Sequence, residues 1–362
     1  MSKTSAKADP LAAPRILIIR LSALGDVVMA SGLIPAIRAL HPDAHLAWLT
    51  EPPAAPLLQH NPGLNEVIVW PKEHWKQLWR TRQWRTLWAE LRAFRQKLRN
   101  ERFDLVLDAQ GLLKSGVCAW LTGAPRRIGL LSREGSQALV HEAIAPPPDE
   151  VDDGMSREYR FLAHHLGAPA SAFWPSLVPG VKAHEAAQHA LQVHGLGQDG
   201  AQPYALICPF TTRAQKHWFA DHWQALVTQM QQHGLAVVML GGPADQAQAA
   251  ELTAQCPGLI NLVGQLKLNE SAAVVATCRL LVGVDTGLTH MGTAFKRPTV
   301  ALFGSTRPYL SGRTPSTHVM YDALGCSPCR RHPTCGGRFD CMRQLTPDRV
   351  WQNAQTLMEL HA

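Results

Sequence analysis

The sequence of 362 residues has no long hydrophobic run, because its apolar stretches reach only about six residues. A helix that spans a bilayer needs about 20 such residues, so the sequence excludes a helical membrane protein. The first 14 residues also lack the apolar core of a secretion signal. Apolar residues make up 46% and charged residues 17% of the chain, which is typical of globular proteins. We therefore expect a cytoplasmic protein with a disordered tail over residues 1–14.

Positive charge is concentrated in one segment of an otherwise balanced chain. The net charge is +7, and residues 72–102 hold ten Lys and Arg against three Glu, which accounts for the whole excess. A localised basic stretch indicates an acidic partner, either nucleic acid, anionic lipid or a phosphorylated substrate. No nucleic-acid-binding motif accompanies the segment, so we expect no nucleic-acid partner.

Four tryptophans lie in the same basic segment. Trp75, Trp79, Trp84 and Trp88 have spacings of 4, 5 and 4, which predicts one helix with an aromatic side. Aromatic rings interleaved with Arg could bind a phosphorylated sugar attached to lipid. The alternative is an amphipathic helix whose Trp side is core and whose Arg side is solvated.

Apolar runs alternate with helical patterns in two series, which predicts βαβ units and parallel sheets. The first series lies at residues 15–21, 45–50, 66–70, 103–108 and 126–130. The second lies at residues 204–209, 235–241, 259–263, 280–284 and 299–303. Residues 168–203 between them are rich in Pro, Ala, Gly and Gln. The pattern predicts an α/β protein of two Rossmann-like domains, 15–178 and 179–345, with a helix in residues 346–362.

The most informative motif lies at residues 283–290, where an apolar run ends and a predicted helix begins. Asp285, Thr286 and Gly287 form a turn with free N–H groups, and the helix N-terminus adds partial positive charge. Such strand ends bind phosphates or sugars. The Asp-Thr-Gly triplet alone also occurs in aspartic proteases and phosphotransferases, so its meaning depends on the other motifs.

Four segments in this order resemble the ADP-heptose–lipopolysaccharide heptosyltransferase family of Gram-negative bacteria, over about residues 15–308. They are residues 22–26, 108–115, 211–218 and 283–290. The segment at residues 108–115 most resembles heptosyltransferase I. The resemblance implies the GT-B fold with its C-terminal helix returned to the first domain. It also implies inversion at the anomeric carbon, the donor ADP-L-glycero-β-D-manno-heptose, and no cofactor for catalysis. The implied acceptor is lipid A-linked Kdo or a heptosylated core, reached by peripheral contact with the inner face of the inner membrane.

The resemblance also implies roles for individual residues. It makes Asp26 the catalytic base, although an Asp at a helix N-terminus can simply stabilise the helix. The implied donor-binding residues are Thr211, Thr212, Lys216, Asp245, Asp285, Thr286, Gly287 and His290. At Asp245 the family has the longer Glu. The basic segment and the motif at residues 108–115 supply the predicted acceptor-binding residues, which are Lys76, Arg80, Arg82, Arg85 and Lys114.

Eight cysteines divide into two groups. Cys118, Cys208, Cys256 and Cys278 are isolated among apolar neighbours, and we expect them in the core. Cys326, Cys329, Cys335 and Cys341 follow the pattern C-x2-C-x5-C-x5-C, which predicts a structural Zn or Fe site, with free thiols as the alternative. Heptosyltransferase I is not typified by this cluster, which autotransporter heptosyltransferases resemble more. Transfer to a protein is therefore one alternative function. Non-catalytic sugar-nucleotide binding by two Rossmann-like lobes is a separate alternative.

Overall fold

Two parallel sheets of six strands each carry the fold. The computed structural model describes residues 13–131, 134–148, 151–197, 202–330 and 332–361. The first sheet contains β1 Arg15–Ile19, β2 His45–Thr50, β3 Glu66–Val69, β4 Leu105–Asp108, β5 Arg126–Leu130 and β6 Glu142–Ile144. The second contains β7 Tyr204–Cys208, β8 Ala236–Met239, β9 Ile260–Asn261, β10 Leu280–Val284, β11 Thr299–Phe303 and β12 Thr317–Tyr321.

The strand order places a crevice at the same point of each sheet. The orders are β3-β2-β1-β4-β5-β6 and β12-β11-β10-β7-β8-β9. In each sheet the direction of winding reverses between the two central strands, β1 and β4 or β7 and β10. Ligands of open parallel sheets bind beyond the carboxyl ends of the strands at such a reversal. The loops that follow β1, β7 and β10 are therefore the positions for a site.

Helices cover the faces of both sheets. In the first half they are α1 Leu24–Ala30, α2 Leu33–Leu40, α3 Lys72–Arg80, α4 Trp84–Asn100, α5 Leu113–Thr122 and α6 Arg157–His165. In the second half they are α7 Val181–Gln192, α8 Ala220–Gln232, α9 Gln246–Gln255, α10 Leu268–Thr277, α11 Gly287–Ala294, α12 Asp340–Arg343 and α13 Pro347–Leu360. Short 3-10 helices occupy Pro52–Leu57, Ser136–Leu139, Ala170–Ala172, Ala214–Lys216 and Pro243–Asp245. Within the described ranges, none of the helices combines the length and apolar character needed to cross a bilayer.

The strands are buried because their residues are apolar on both faces, as parallel strands covered by helices require. Every residue of β7, β10 and β11 is buried. The four isolated cysteines are buried as predicted, and burial raises the pKa of Cys118 and of Cys278 to about 12. These thiols are inert core groups.

The architecture of two Rossmann-like domains around a cleft confirms the predicted GT-B fold. The predicted boundary between residues 178 and 179 falls between the two sheets and stays a prediction. Apart from residues 13 and 14, the predicted disordered tail lies outside the described residues.

The prediction that the C-terminal helix returns to the first domain is wrong. The apolar side of α13, formed by Val350, Trp351, Ala354 and Leu357, joins the core of the second domain. The helix packs on α8 and on β10, β11 and β12. Arg279 fixes its end by donating to the carbonyls of Met358 and His361. An apolar stripe is buried wherever a matching surface lies nearest, and here that surface belongs to the second sheet.

The prediction of one helix through the four tryptophans is also wrong. Helix α3 ends at Arg80 and α4 begins at Trp84, because Arg82 between them has a φ of 57°. The four aromatic rings lie in different environments. Trp75 turns inward, with its ring centroid 5.2 Å from that of Phe94, whereas Trp79, Trp84 and Trp88 are exposed.

Candidate functional site

One cleft of about 1110 Å³ opens at the carboxyl ends of both sheets. It is lined by all the residues for which catalytic or donor-binding roles are predicted: Asp26, Thr211, Thr212, Lys216, Asp245, Asp285, Thr286, Gly287 and His290. The four motifs lie up to about 260 residues apart in the chain. Three of them thus line the same cleft, and the fourth, residues 108–115, holds the strand end next to it. Their individual roles stay predictions, but their placement agrees with a single ligand site.

The two domains meet where the N-termini of α1 and α11 touch. A Cβ on Gly25 would lie 2.5 Å from Cδ2 of His290, and one on Gly287 would lie 3.2 Å from Cβ of Leu24. The first distance leaves no room for any side chain, and the second leaves very little. Both glycines therefore allow the close approach of the two helices, which brings Asp26 beside the residues that follow β10.

Asp26 is held by groups of its own domain while its carboxylate stays accessible. Its side chain is 37% exposed and forms an ion pair with the guanidinium of Arg20. The N–H of Ala23 donates to Asp26 Oδ2 at 3.2 Å. Arg20 is itself buried, lies 5.6 Å from the ring centroid of Tyr159, and donates to the carbonyl of Ala109 at 3.2 Å. The result is an oriented carboxylate that faces the cleft and can accept a proton.

The segment after β4 supports this arrangement from below. Asp108 is buried, and its Oδ1 accepts hydrogen bonds from the N–H groups of Gln110 and Gly111 at 3.0 and 3.1 Å. Gln110 in turn accepts from the N–H of Leu21 at 2.9 Å. Burial raises the pKa of Asp108. The segment ties the ends of β1 and β4 together and supplies the carbonyl that receives Arg20.

Asp285 is the centre of a buried polar network in the second domain. Its Oδ2 lies 2.6 Å from Lys216 Nζ and also accepts from the hydroxyl of Thr306, while its Oδ1 lies 3.2 Å from His290 Nε2. His290 Nδ1 lies 2.9 Å from the hydroxyl of Tyr309. Burial alone would raise the pKa of Asp285, but His290 and Lys216 outweigh it and hold that pKa well below its usual range. The network fixes one ammonium group at the cleft.

The loop after β7 is bonded to this network. The hydroxyl of Thr211 donates to the carbonyl of Asp285 at 3.2 Å, and His217 Nε2 lies 2.8 Å from the carbonyl of Thr211. Thr212 is exposed in the cleft. Asp245 uses one oxygen for its own turn, because its Oδ2 accepts from the N–H of Gly242 at 2.8 Å.

The predicted acceptor-binding residues do not lie together. Lys114 Nζ reaches Ser22 Oγ and Glu51 Oε1, both at 3.0 Å, which places it close to the turn that carries Asp26. Lys76, Arg80, Arg82 and Arg85 are exposed on α3 and at the start of α4 and are not among the residues that line the cleft.

The four clustered cysteines share one region without forming a compact ligand set. Cys326 is exposed and Cys341 is buried, and burial with neighbouring thiols raises the pKa of Cys341 to about 11. Among the described residues, three or more ligand atoms of His, Cys, Asp or Glu come within 4.8 Å of one another only at His45, Glu66 and Glu101. Arg15 and Lys97 already pair with those two glutamates, which indicates an ion-pair network.

Sequence reasoning missed three residues of the site. Arg20 was detectable as a charge at the end of an apolar strand. Thr306 and Tyr309 lie in a loop after β11 with no distinctive pattern, and only the fold brings them to Asp285 and His290.

Comparison with known proteins agrees with this geometry. A sequence profile of Glycosyltransferase family 9 (heptosyltransferase) matches residues 91–337. The chain is 31% identical to lipopolysaccharide heptosyltransferase 1 of Pseudomonas aeruginosa, over 95% of this chain and 98% of that protein. It superimposes on Escherichia coli heptosyltransferase WaaC with ADP-2-deoxy-2-fluoro heptose, with a TM-score of 0.69, 25% identity and coverage of 94% and 99%. A family 9 glycosyltransferase from Veillonella parvula shares the fold, with a TM-score of 0.79, 18% identity and coverage of 97% and 99%. The chain therefore belongs to glycosyltransferase family 9 and is a glycosyltransferase of the heptosyltransferase type.

Proposed function

We propose that this enzyme transfers heptose from ADP-L-glycero-D-manno-heptose to the lipopolysaccharide inner core, with inversion at the anomeric carbon. The acceptor is lipid A-linked Kdo or a heptosylated core. The observation that carries the proposal is the cleft that holds Asp26 from one domain and the Asp285–Lys216–His290 network from the other. A base and a cationic group thus face the same space, as glycosyl transfer from a nucleotide sugar requires.

The second domain holds the donor in this proposal. The N-terminus of α11 presents the N–H groups of Thr286 and Gly287, whose partial positive charge favours an anionic or polar ligand. The ammonium of Lys216 and the hydroxyl of Thr212 contact the diphosphate, and the hydroxyl of Thr211 does so by turning from the carbonyl of Asp285. Asp285 and His290 bind heptose hydroxyls, for which His290 exchanges one of its two present partners, Asp285 Oδ1 or the hydroxyl of Tyr309. Asp245 keeps one oxygen for a ribose hydroxyl, because its other oxygen is bonded to Gly242.

The chemical step is a single displacement. Asp26 removes the proton of the acceptor hydroxyl as that oxygen bonds to the anomeric carbon. The bond from the anomeric carbon to the diphosphate oxygen breaks, and ADP leaves with the electron pair from the opposite face. Lys216 stabilises the negative charge that develops on the leaving group, so the step requires no metal or other cofactor.

The first domain binds the acceptor. Lys114 lies next to the turn that carries Asp26. Exposed cations for phosphate and carboxylate groups are offered by Lys76, Arg80, Arg82 and Arg85. We place the enzyme in the cytoplasm, in peripheral contact with the inner face of the inner membrane, where a lipid-linked acceptor is presented.

Replacing Arg80, Arg82 and Arg85 together with Gln should raise the KM for a phosphorylated lipid acceptor about tenfold, because exposed charge contacts contribute about 0.2–1 kcal/mol each. The KM for the donor should not change, and the dependence of the rate on salt should weaken. Steady-state kinetics at several salt concentrations measures both. Replacing Lys182 and Arg126, two exposed cations elsewhere, is the control. An unchanged acceptor KM would show that the acceptor does not bind to this segment.

ADP release tests the function against its alternatives. Release that depends on lipid A–Kdo or on core oligosaccharide supports the proposal. Release that depends instead on a protein acceptor identifies the alternative that the cysteine cluster favours. ADP-heptose binding without acceptor-dependent release identifies a non-catalytic sugar-nucleotide-binding protein.

The cysteine cluster is proposed to hold a structural metal. Four thiolates suit tetrahedral Zn or Fe, and the glycines at 336 and 337, both with positive φ, allow the tight turn that the loop needs. The loop must close further than in this structure to bring the four sulfur atoms to one ion.

Purified protein should carry about one Zn or Fe per chain, and chelation should lower its Tm by about 5 °C, because the metal organises the loop that precedes α13. The Cys335→Ser variant should lose the metal and show no further change on chelation. Metal analysis of anaerobically prepared protein, with calorimetry, measures these effects. Negligible metal and four freely titrating thiols would refute the site.

A further inference from the structure

Exposed tryptophan is concentrated on one part of the first domain. Trp79, Trp84, Trp88 and Trp120 are 62%, 40%, 61% and 51% exposed and lie on α3, α4 and α5. No other tryptophan in the described ranges reaches this exposure. Large aromatic side chains normally bury their area in the core or in an interface, so this concentration indicates a surface that meets another phase or partner.

Helix α5 turns an apolar stripe outward. The stripe consists of Leu113, Val117 and Trp120, which are all exposed. Their spacings of 4 and 3 place them along one side of the helix. The opposite side, which includes Cys118 and Ala119, is buried in the domain core. A surface helix normally directs only its apolar stripe inward, and α5 is apolar on both sides.

The exposed side chains of the three helices lie on neighbouring parts of the first domain. One side of α4 carries two tryptophans and two arginines, at Trp84, Trp88, Arg95 and Arg99. Their spacings of 4, 7 and 4 place them on the same side of the helix. The guanidinium of Arg99 lies against Gly123 at the end of α5, so that side of α4 borders α5. At its other end, the ring centroid of Trp84 lies 4.4 Å from that of Trp79 on α3. We call the surface of Trp79, Trp84, Trp88, Leu113, Val117 and Trp120 the docking face.

The arginines around the docking face have no carboxylate partners, although one carboxylate lies at the face itself, where Glu134 Oε2 accepts from the N–H of Leu113 at 3.1 Å. Arg82, Arg85, Arg92 and Arg95 are exposed, and none of them has a carboxylate within 4.0 Å in the part of the chain that the structure describes. Lys97, on the side of α4 that faces β3, is paired with Glu66. Tryptophan beside unpaired arginine matches the interface of an anionic bilayer, where the rings sit at the headgroup level and each cation adds about 1 kcal/mol.

We propose that the docking face binds the surface of an anionic lipid bilayer. Leu113 is exposed on the docking face while the next residue, Lys114, reaches Ser22 near Asp26. Binding through this face would therefore hold the acceptor side of the cleft close to the membrane, and in this respect the inference rests on the proposed function. The docking face itself lies outside the cleft.

Sedimentation of the full-length protein with vesicles tests the proposal. Vesicles of phosphatidylglycerol and phosphatidylethanolamine should bind the protein more tightly than phosphatidylcholine vesicles, and high salt should weaken the binding. The Val117→Ser, Trp120→Ser double variant should bind about tenfold less, since it loses apolar area that the bilayer would cover. The matched control is Val181→Ser with Val193→Ser, which changes two valines exposed elsewhere and should bind like the parent.

Two results would overturn the proposal. One is vesicle binding by the Val117→Ser, Trp120→Ser variant equal to that of the control variant. The other is a parent protein that does not bind vesicles, is dimeric by light scattering, and becomes monomeric with the same two changes. The docking face would then be a contact between two copies of the chain. The sedimentation assay contains neither donor nor acceptor. Its outcome therefore does not depend on whether the proposed transfer reaction is correct.

Discussion

The Asp26→Asn variant should lose about 10²–10⁴-fold in kcat, the usual contribution of general-base catalysis. Asn keeps the shape of the side chain and its hydrogen bond with Ala23 but cannot accept the acceptor proton. The affinity for ADP should change little, because the implied donor contacts lie in the second domain. Single-turnover rates with ADP-heptose, together with ADP titration calorimetry, measure the two effects separately.

The matched control for this variant is Asp221→Asn. Asp221 also lies in the first turn of a helix, α8, but its side chain is 68% exposed and outside the cleft. Both variants lose the favourable interaction of a carboxylate with a helix N-terminus, so only Asp26→Asn should lose activity. Because Asp26 also pairs with buried Arg20, the Tm must be compared. Near-parental turnover by folded Asp26→Asn would show that Asp26 is not the catalytic base.

The Lys216→Ala variant should lower kcat/KM for ADP-heptose about 10²–10³-fold, since one group aimed at developing charge is typically worth this much. The structure adds a complication that the sequence does not show. Lys216 also neutralises Asp285, so its removal leaves a buried carboxylate whose remaining side-chain partners among the described residues are His290 and Thr306. Donor kinetics of the single variant alone would mix both effects.

A double variant separates them. In Lys216→Ala with Asp285→Asn the unpaired buried charge is gone, while the cation for the diphosphate is still missing. If Lys216 contacts the donor, the double variant stays as impaired as Lys216→Ala. Recovery of donor affinity in the double variant would instead show that Lys216 serves to stabilise Asp285.

The positions of the cleft residues follow from the sequence because each motif ends a buried strand. The apolar runs that form β1, β7 and β10 are followed by Gly, Thr or Asp turns, and parallel strands bring their carboxyl ends to one edge. Local patterns of this kind predict both where a strand ends and which side chains emerge there.

Other features depend on tertiary contacts that no local pattern encodes. The apolar side of α13 would suit either domain, and only the assembled second sheet decides which one it covers. Strand β12 has a half-exposed edge position and lacks the apolar run of a central strand. The tryptophan spacing fits one helix, but the backbone at Arg82 divides it and leaves Trp79 and Trp84 on an exposed corner.

Mass spectrometry and NMR of the lipid product, after incubation with ADP-heptose and lipid A–Kdo, test the proposed transfer reaction. We expect the acceptor to gain the mass of one heptose residue and ADP to appear in equal amount, and NMR should show an anomeric configuration opposite to that of the donor. Asp26→Asn should form this product about 10²–10⁴-fold more slowly while still binding ADP. An acceptor of unchanged mass, with both substrates bound and ADP-heptose intact, would rule out this reaction, and a product with retained configuration would rule out the single displacement.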